Sequence, residues 1–130
     1  MASQDTILTD LAIRTVGRVP RWIQQGSAAI VAANGVPSLT TDGVSVDNAV
    51  QALIAIQATG AGTWTGKLWG RPRGVDAPGA WFEILDSSVS GGSVVMRANI
   101  AGFSRIYFEL VSITANGVVP YIAPCDSEGI

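Results

Sequence analysis

The chain has 130 residues, 48% of them apolar and only 14% charged. That is enough for one domain with a single modest core, at well below the roughly 25% charge of an ordinary soluble domain. Such a surface fits a subunit covered by neighbours better than a compact free-standing β domain. A net charge of −2 at pH 7 argues against nucleic acid as a ligand, because phosphate binding needs a basic face. The absence of histidine removes Ser-His-Asp triads, Cys-His pairs and imidazole metal sites.

Residues 1–41 read as an extended N-terminal arm. The opening "MASQDTILTD" places acids where a signal peptide would be basic. No apolar run approaches the ~20 residues of a membrane span, so no membrane partner is expected and the product reads as soluble and cytosolically made. "TILTDLAIRTV" alternates weakly, and Pro20 blocks a long helix. "SAAIVAANGVPSL" is a short apolar run closed by a turn at Asn34-Gly35 and Pro37. Residues 11–41 carry Arg14, Arg18 and Arg21 and no acid. With few large apolar side chains, this segment either packs along the main domain or reaches onto another subunit. Arg14, Arg18, Arg21 and Trp22 are its candidate partner-binding residues.

Residues 42–130 read as an all-β domain, an antiparallel sandwich or jelly-roll-like fold. Strands are expected over 44–47, 50–58, 63–71, 80–86, 93–100, 104–114 and 117–124. Turn residues separate them: Asp42-Gly43, Gly60 to Gly62, "RPRGVDAPGA", Gly91-Gly92, Ala101-Gly102 and Asn116-Gly117. The Asn-Gly pair has the chemistry of a type I′ hairpin. "VDNAVQALIAIQ" also fits a helix capped by Asp47, but a buried central strand is the preferred reading. In "TWTGKLWGR", Trp64, Gly66 and Leu68 share one face, and Thr65, Lys67 and Trp69 the other. One tryptophan is thus expected in the core and one at a rim. In "GAWFEIL", alternation sets Phe82 and Ile84 opposite Trp81, Glu83 and Leu85.

Little here suggests chemistry, and no enzyme is expected. Lys67, the single lysine, sits between two tryptophans as a snorkelling side chain would. Glu83 and Glu109 could share an outer face as a carboxylate pair, but Glu109 is expected to pair with Arg105 or Arg97 as a solvated sheet contact. "ATGAGT" lacks the lysine of a phosphate loop, "SGGS" reads as a hairpin tip, and the acids lack calcium-loop spacing. No cofactor or metal site is expected. Cys125, alone, cannot form an internal disulfide and reads as an inert apolar residue.

The loop "WGRPRGVDAPGAW" is the most distinctive surface feature, and Trp69, Arg71, Arg73 and Trp81 are its candidate partner-binding residues. Such residues serve as interface anchors or as a sugar-stacking platform. The plainer reading is a solvated loop with its tryptophans packed beneath it.

The run from "WTGKLWG" through "AWFEIL" and "AGFSRIYFEL" to "VVPYIAP", covering about residues 50–124, resembles small β-sandwich and jelly-roll domains of tailed-phage virion proteins. The resemblance implies a sheet-changing corner at Ala101-Gly102-Phe103, with Phe103 plugging one end of the core. It implies a head decoration (cement) protein on the virion, binding the major capsid protein as a homo-oligomer, a trimer for preference. The same domains also serve in necks, fibres and baseplates. No functional residue carries over, and residues 1–40 fall outside the pattern.

Overall fold

Short apolar-alternating runs separated by glycine turns can bury one face each only by stacking two sheets. The computed structural model, which describes residues 21–46, 49–75, 77, 79–84, 89–90, 92–114 and 116–125, is such a stack. Its strands are β1 (Ile23–Gln24), β2 (Val44–Ser45), β3 (Gln51–Thr59), β4 (Trp64–Pro72), β5 (Phe82–Glu83), β6 (Val89–Ser90), β7 (Val94–Asn99), β8 (Phe103–Ile113) and β9 (Gly117–Cys125). The described residues contain no helix. The stretch that also fitted a capped helix is strand β3: Ala52, Ile54 and Ile56 are buried while Leu53 and Ala55 on its other face are half-buried.

Pairing is antiparallel throughout and nested. β1 pairs β9, β2 pairs β8, β3 pairs β7, and β4 pairs both β5 and β6. The chain is therefore one long hairpin folded back on itself. Rolling that hairpin brings β9 beside β3 and β8 beside β4. One sheet then has the order β1-β9-β3-β7; the other has β2-β8-β4-β5, with β6 on the same flank of β4. This is the jelly-roll arrangement, in which most turns carry the chain from one sheet to the other.

The core fills the space between the sheets. Ala52, Ile54, Ile56, Val118 and Ile122 come from one side, and Trp64, Leu68, Ile106, Phe108 and Leu110 from the other. Trp64 and Phe108 meet edge to face at 5.7 Å between ring centroids, a favoured aromatic geometry. Two glycines of β4 make room for large rings. Phe108 occupies the space a side chain at Gly66 would need, and Phe103 does the same at Gly70. Phe103 thus closes one end of the core. The corner at Ala101-Gly102 is present: the chain leaves β7 in one sheet and enters β8 in the other, with Gly102 at φ +90°.

Three local expectations differ from the structure. Asn116-Gly117 closes no hairpin, because β8 and β9 belong to different sheets, and Gly117 is not among the glycines at positive φ. The "SGGS" turn likewise joins β6 to β7 across the two sheets. In "GAWFEIL" the alternation fails: Trp81 and Ile84 are both buried and Phe82 is 57% exposed. The ladder at β5 is only two residues long, too short to impose a period on its neighbours.

The segment 21–41, read as arm from the sequence, is laid against the sandwich. β1 is an edge strand on β9, and Ile30 bridges Val118. Residues 1–20, with Arg14 and Arg18, lie outside the described residues. A Cβ at Gly70 would stand 2.6 Å from the Phe103 ring. Gly70→Ala is therefore expected to cost about 1–3 kcal/mol by overpacking, read as a lower urea midpoint at unchanged m-value.

Candidate interaction surface

The residues that matter here act on backbone and on surface. β8 is the longest strand, and β4 lines one flank of it. On the other flank β2 covers only Arg105 and Ile106, with Val46 N donating to Ser104 O just beyond. Two side-chain amides complete that ladder. Phe108 N donates to Gln25 Oε1 (2.7 Å) while Gln25 Nε2 donates to Phe108 O (2.9 Å). Leu110 N donates to Asn34 Oδ1 (2.8 Å), and Asn34 Nδ2 donates to Phe108 O (3.2 Å). Gln25 N also donates to Pro120 O on β9. One buried glutamine therefore ties the two sheets together at their edge.

The outer face of the β8-containing sheet is covered by two loops. Arg105 holds the first, donating from Nε to Asp42 O (2.7 Å) and from Nη2 to Thr41 O and Gly43 O. Asp42 in turn accepts from the backbone of Ser38 and Leu39. Arg71, opposite Arg105 in the ladder, holds the second loop through Ala77 O (2.9 Å) and Val75 O (2.7 Å). The loops meet where Trp81 Nε1 donates to Leu39 O (3.2 Å). Beneath them Trp81 packs edge to face on Tyr107 at 6.2 Å, and the Tyr107 hydroxyl donates to Gly35 O (3.1 Å).

Beyond the loops this face is open. Lys67 pairs with Glu83 at 3.6 Å, both about half exposed, which makes the pair worth little to stability. Glu109 accepts from Trp69 Nε1 (2.9 Å), an indole in place of the arginine partner expected from sequence. Glu83 and Glu109 flank β4 on one face, and each is engaged by a different residue of that strand. Among the described residues no three His, Cys, Asp or Glu side chains gather as a metal site.

The candidate residues are dispersed. Arg21 is exposed and Trp22 is 45% exposed where the chain enters β1. Trp69, Arg71 and Trp81 belong to the other sheet and its loop. Arg71 is only 4% exposed and Trp81 only 6%; the first clamps its own loop and the second lies under it. Arg73 is exposed, with its backbone N donating to Gly102 O. Trp69 and Trp81 do not form an open aromatic platform. Sequence reading missed Tyr107 as their common neighbour, although alternation already placed it outward in β8. It also missed Gln25 and Asn34, whose partners lie 83 and 74 to 76 residues away.

The exposed surface includes large apolar side chains. Among the described residues Trp22, Ile23, Val31, Val36, Leu39, Val75, Phe82, Val95 and Val111 are large hydrophobics open to solvent. They lie on both sheets, on the 21–41 segment and on the 73–81 loop.

No protein-family model and no curated protein matches the sequence. Among solved structures, the SPBc2 prophage-derived protein YomS is similar, with 16% identity and a TM-score of 0.58 over 81% of this chain and 92% of that one. At that identity the likeness establishes a shared fold, the two-sheet antiparallel sandwich.

Removing the Gln25 amide leaves the buried Phe108 N–H without its partner. Gln25→Ala is expected to lower unfolding free energy by about 2–4 kcal/mol, measured by urea denaturation. Burial, then the nearby charges of Asp42 and Glu109, raise the Tyr107 pKa above its ordinary 10.0. The folded state thus favours the protonated phenol. Its contribution is complete below pH 10 and is lost as pH rises from there through the higher folded value. The melting temperature should fall less steeply above pH 10 in Tyr107→Phe than in the wild type.

Proposed function

We propose that the protein is a structural component of a tailed-phage virion, a capsid decoration protein that binds the major capsid protein lattice as a homo-oligomer. The observation that carries this reading is the set of large apolar side chains left in solvent after the core is filled. Most of the described arginines' hydrogen bonding seen here is directed inward, to loop carbonyls. A surface this poor in charge gains stability by being covered. The jelly roll is an architecture recurrent in viral shells, and its likeness to a prophage-derived protein supports the same setting.

The attachment model rests on the N-terminal end. Arg14, Arg18 and the exposed Arg21, with Trp22 beside it, meet carboxylates of the lattice. A planar guanidinium can give two parallel hydrogen bonds to one carboxylate. Repetition by capsid symmetry turns many weak contacts into firm attachment. A glycan-stacking role for Trp69 and Trp81 has less support, since Trp81 is packed beneath its loop.

Quantitative mass spectrometry of purified particles is expected to find copies in proportion to the major capsid protein. A handful of copies per particle would place the protein in the neck, tail or fibre instead. Deleting residues 1–20, which spares Gln25 and Asn34, is expected to leave the melting temperature unchanged and abolish binding to heads. Undiminished binding would refute the arm model.

A further inference from the structure

Among the described residues, three of the four sheet edges are blunted. β1 and β2 are two residues long, and the flank of β8 that β2 leaves open is filled by the Gln25 and Asn34 amides. On the far side of β4 the edge is divided between β5 and β6, again two residues each. β7 is different. It runs regularly for six residues, Val94–Asn99, and pairs only with β3 among the described residues. It contains no proline, and its ladder with β3 advances without a bulge. Proline and bulges are two devices by which edge strands normally avoid pairing with another chain; of a third, charge, β7 carries a single instance, Arg97. Within it Val95 is 68% exposed, and Ala55, Ile56, Gln57, Ser93, Val94 and Val95 line a shallow apolar depression of about 210 Å³.

From this contrast we infer that β7 is the seam between two copies of the chain, joined antiparallel across a two-fold axis into one continuous eight-stranded sheet. The register follows from side-chain direction and charge. Val94, Met96 and Ala98 face the core side, and Val95 and Arg97 the outer side, as their partners across β3 require. Directly opposed residues must face the same way, so the axis passes through a residue rather than between two. An axis at Arg97 would set two guanidinium groups face to face, which is unfavourable. An axis at Val95 would pair fewer residues of β7. An axis at Met96 pairs residues 94 to 98 with 98 to 94 and sets each Val95 opposite Arg97 of the second copy. A two-fold seam of this kind is self-complementary and closes at two chains.

This inference does not depend on the virion role. Light scattering coupled to gel filtration of the full chain is expected to give the mass of a dimer. Val95→Lys places two cations opposite Arg97 residues and should weaken the dimer roughly tenfold. Val95→Glu places two carboxylates there and should tighten it. The double variant Val95→Lys with Arg97→Glu should restore wild-type association. Residue 95 is exposed, and an unchanged circular dichroism spectrum confirms that each variant folds. A wild type that stays monomeric or runs as a trimer overturns the inference, as does a shift in the same direction for Val95→Lys and Val95→Glu. A monomer found in many copies on particles would defeat the β7 seam and the homo-oligomer of the decoration reading, and would leave its attachment to the capsid lattice standing.

Discussion

A buried backbone N–H or C=O without a partner costs about 1–3 kcal/mol, and a rolled hairpin concentrates that problem at its open edge. Here the problem falls on β8, whose inward side chains Ile106, Phe108 and Leu110 form the middle of the core. Its flank toward β2 must be paired along its length, yet β2 supplies two residues. Gln25 and Asn34 finish the ladder with primary amides, which carry the same donor and acceptor as a peptide group. Because Gln25 also reaches β9 through its own N–H, satisfying one strand fixes the spacing of both sheets. The core depends on that closure.

The same economy explains the surface. Arg71 and Arg105 lie opposite each other on the outer face, and each is turned to the carbonyls of a covering loop. These two cations hold chain segments in place. Trp81, Tyr107 and Leu39 are locked into the same arrangement. Exposed valine, leucine, phenylalanine and tryptophan side chains then share the outside with polar groups such as the Lys67–Glu83 pair.

Much of this fold was legible in the sequence because burial in a sandwich has a period of two. Ile54 and Ile56 in β3, Trp64 and Leu68 in β4, and Ile106, Phe108 and Leu110 in β8 follow it and are all buried. The turn at Gly102 was legible because Ala101-Gly102 interrupts the apolar run and glycine readily takes the positive φ this corner uses. Legibility ended where a residue's role is set by something far away. Nothing near Gln25 announces that its amide will replace a strand neighbour at Phe108. Nothing near Asn116-Gly117 reveals that the strands it joins belong to different sheets. Trp81 and Arg71 were candidate surface anchors because Trp and Arg are common in interfaces; Trp81 instead follows the plainer reading of a tryptophan packed beneath its loop, and the inward turn of Arg71 had no local signal. The dispersal of the candidate site therefore reflects tertiary closure, not weak local signals.

β9 lies between β1 and β3, and β8 between β2 and β4. The early strands thus have no complete neighbours until residues 117–125 have left the ribosome. With its first strand waiting on its last, this topology has high contact order, which slows folding and lengthens exposure of unpaired strands during synthesis. The order of pairing thus makes completion of the C-terminal strand the step that ends the exposure of those unpaired edges.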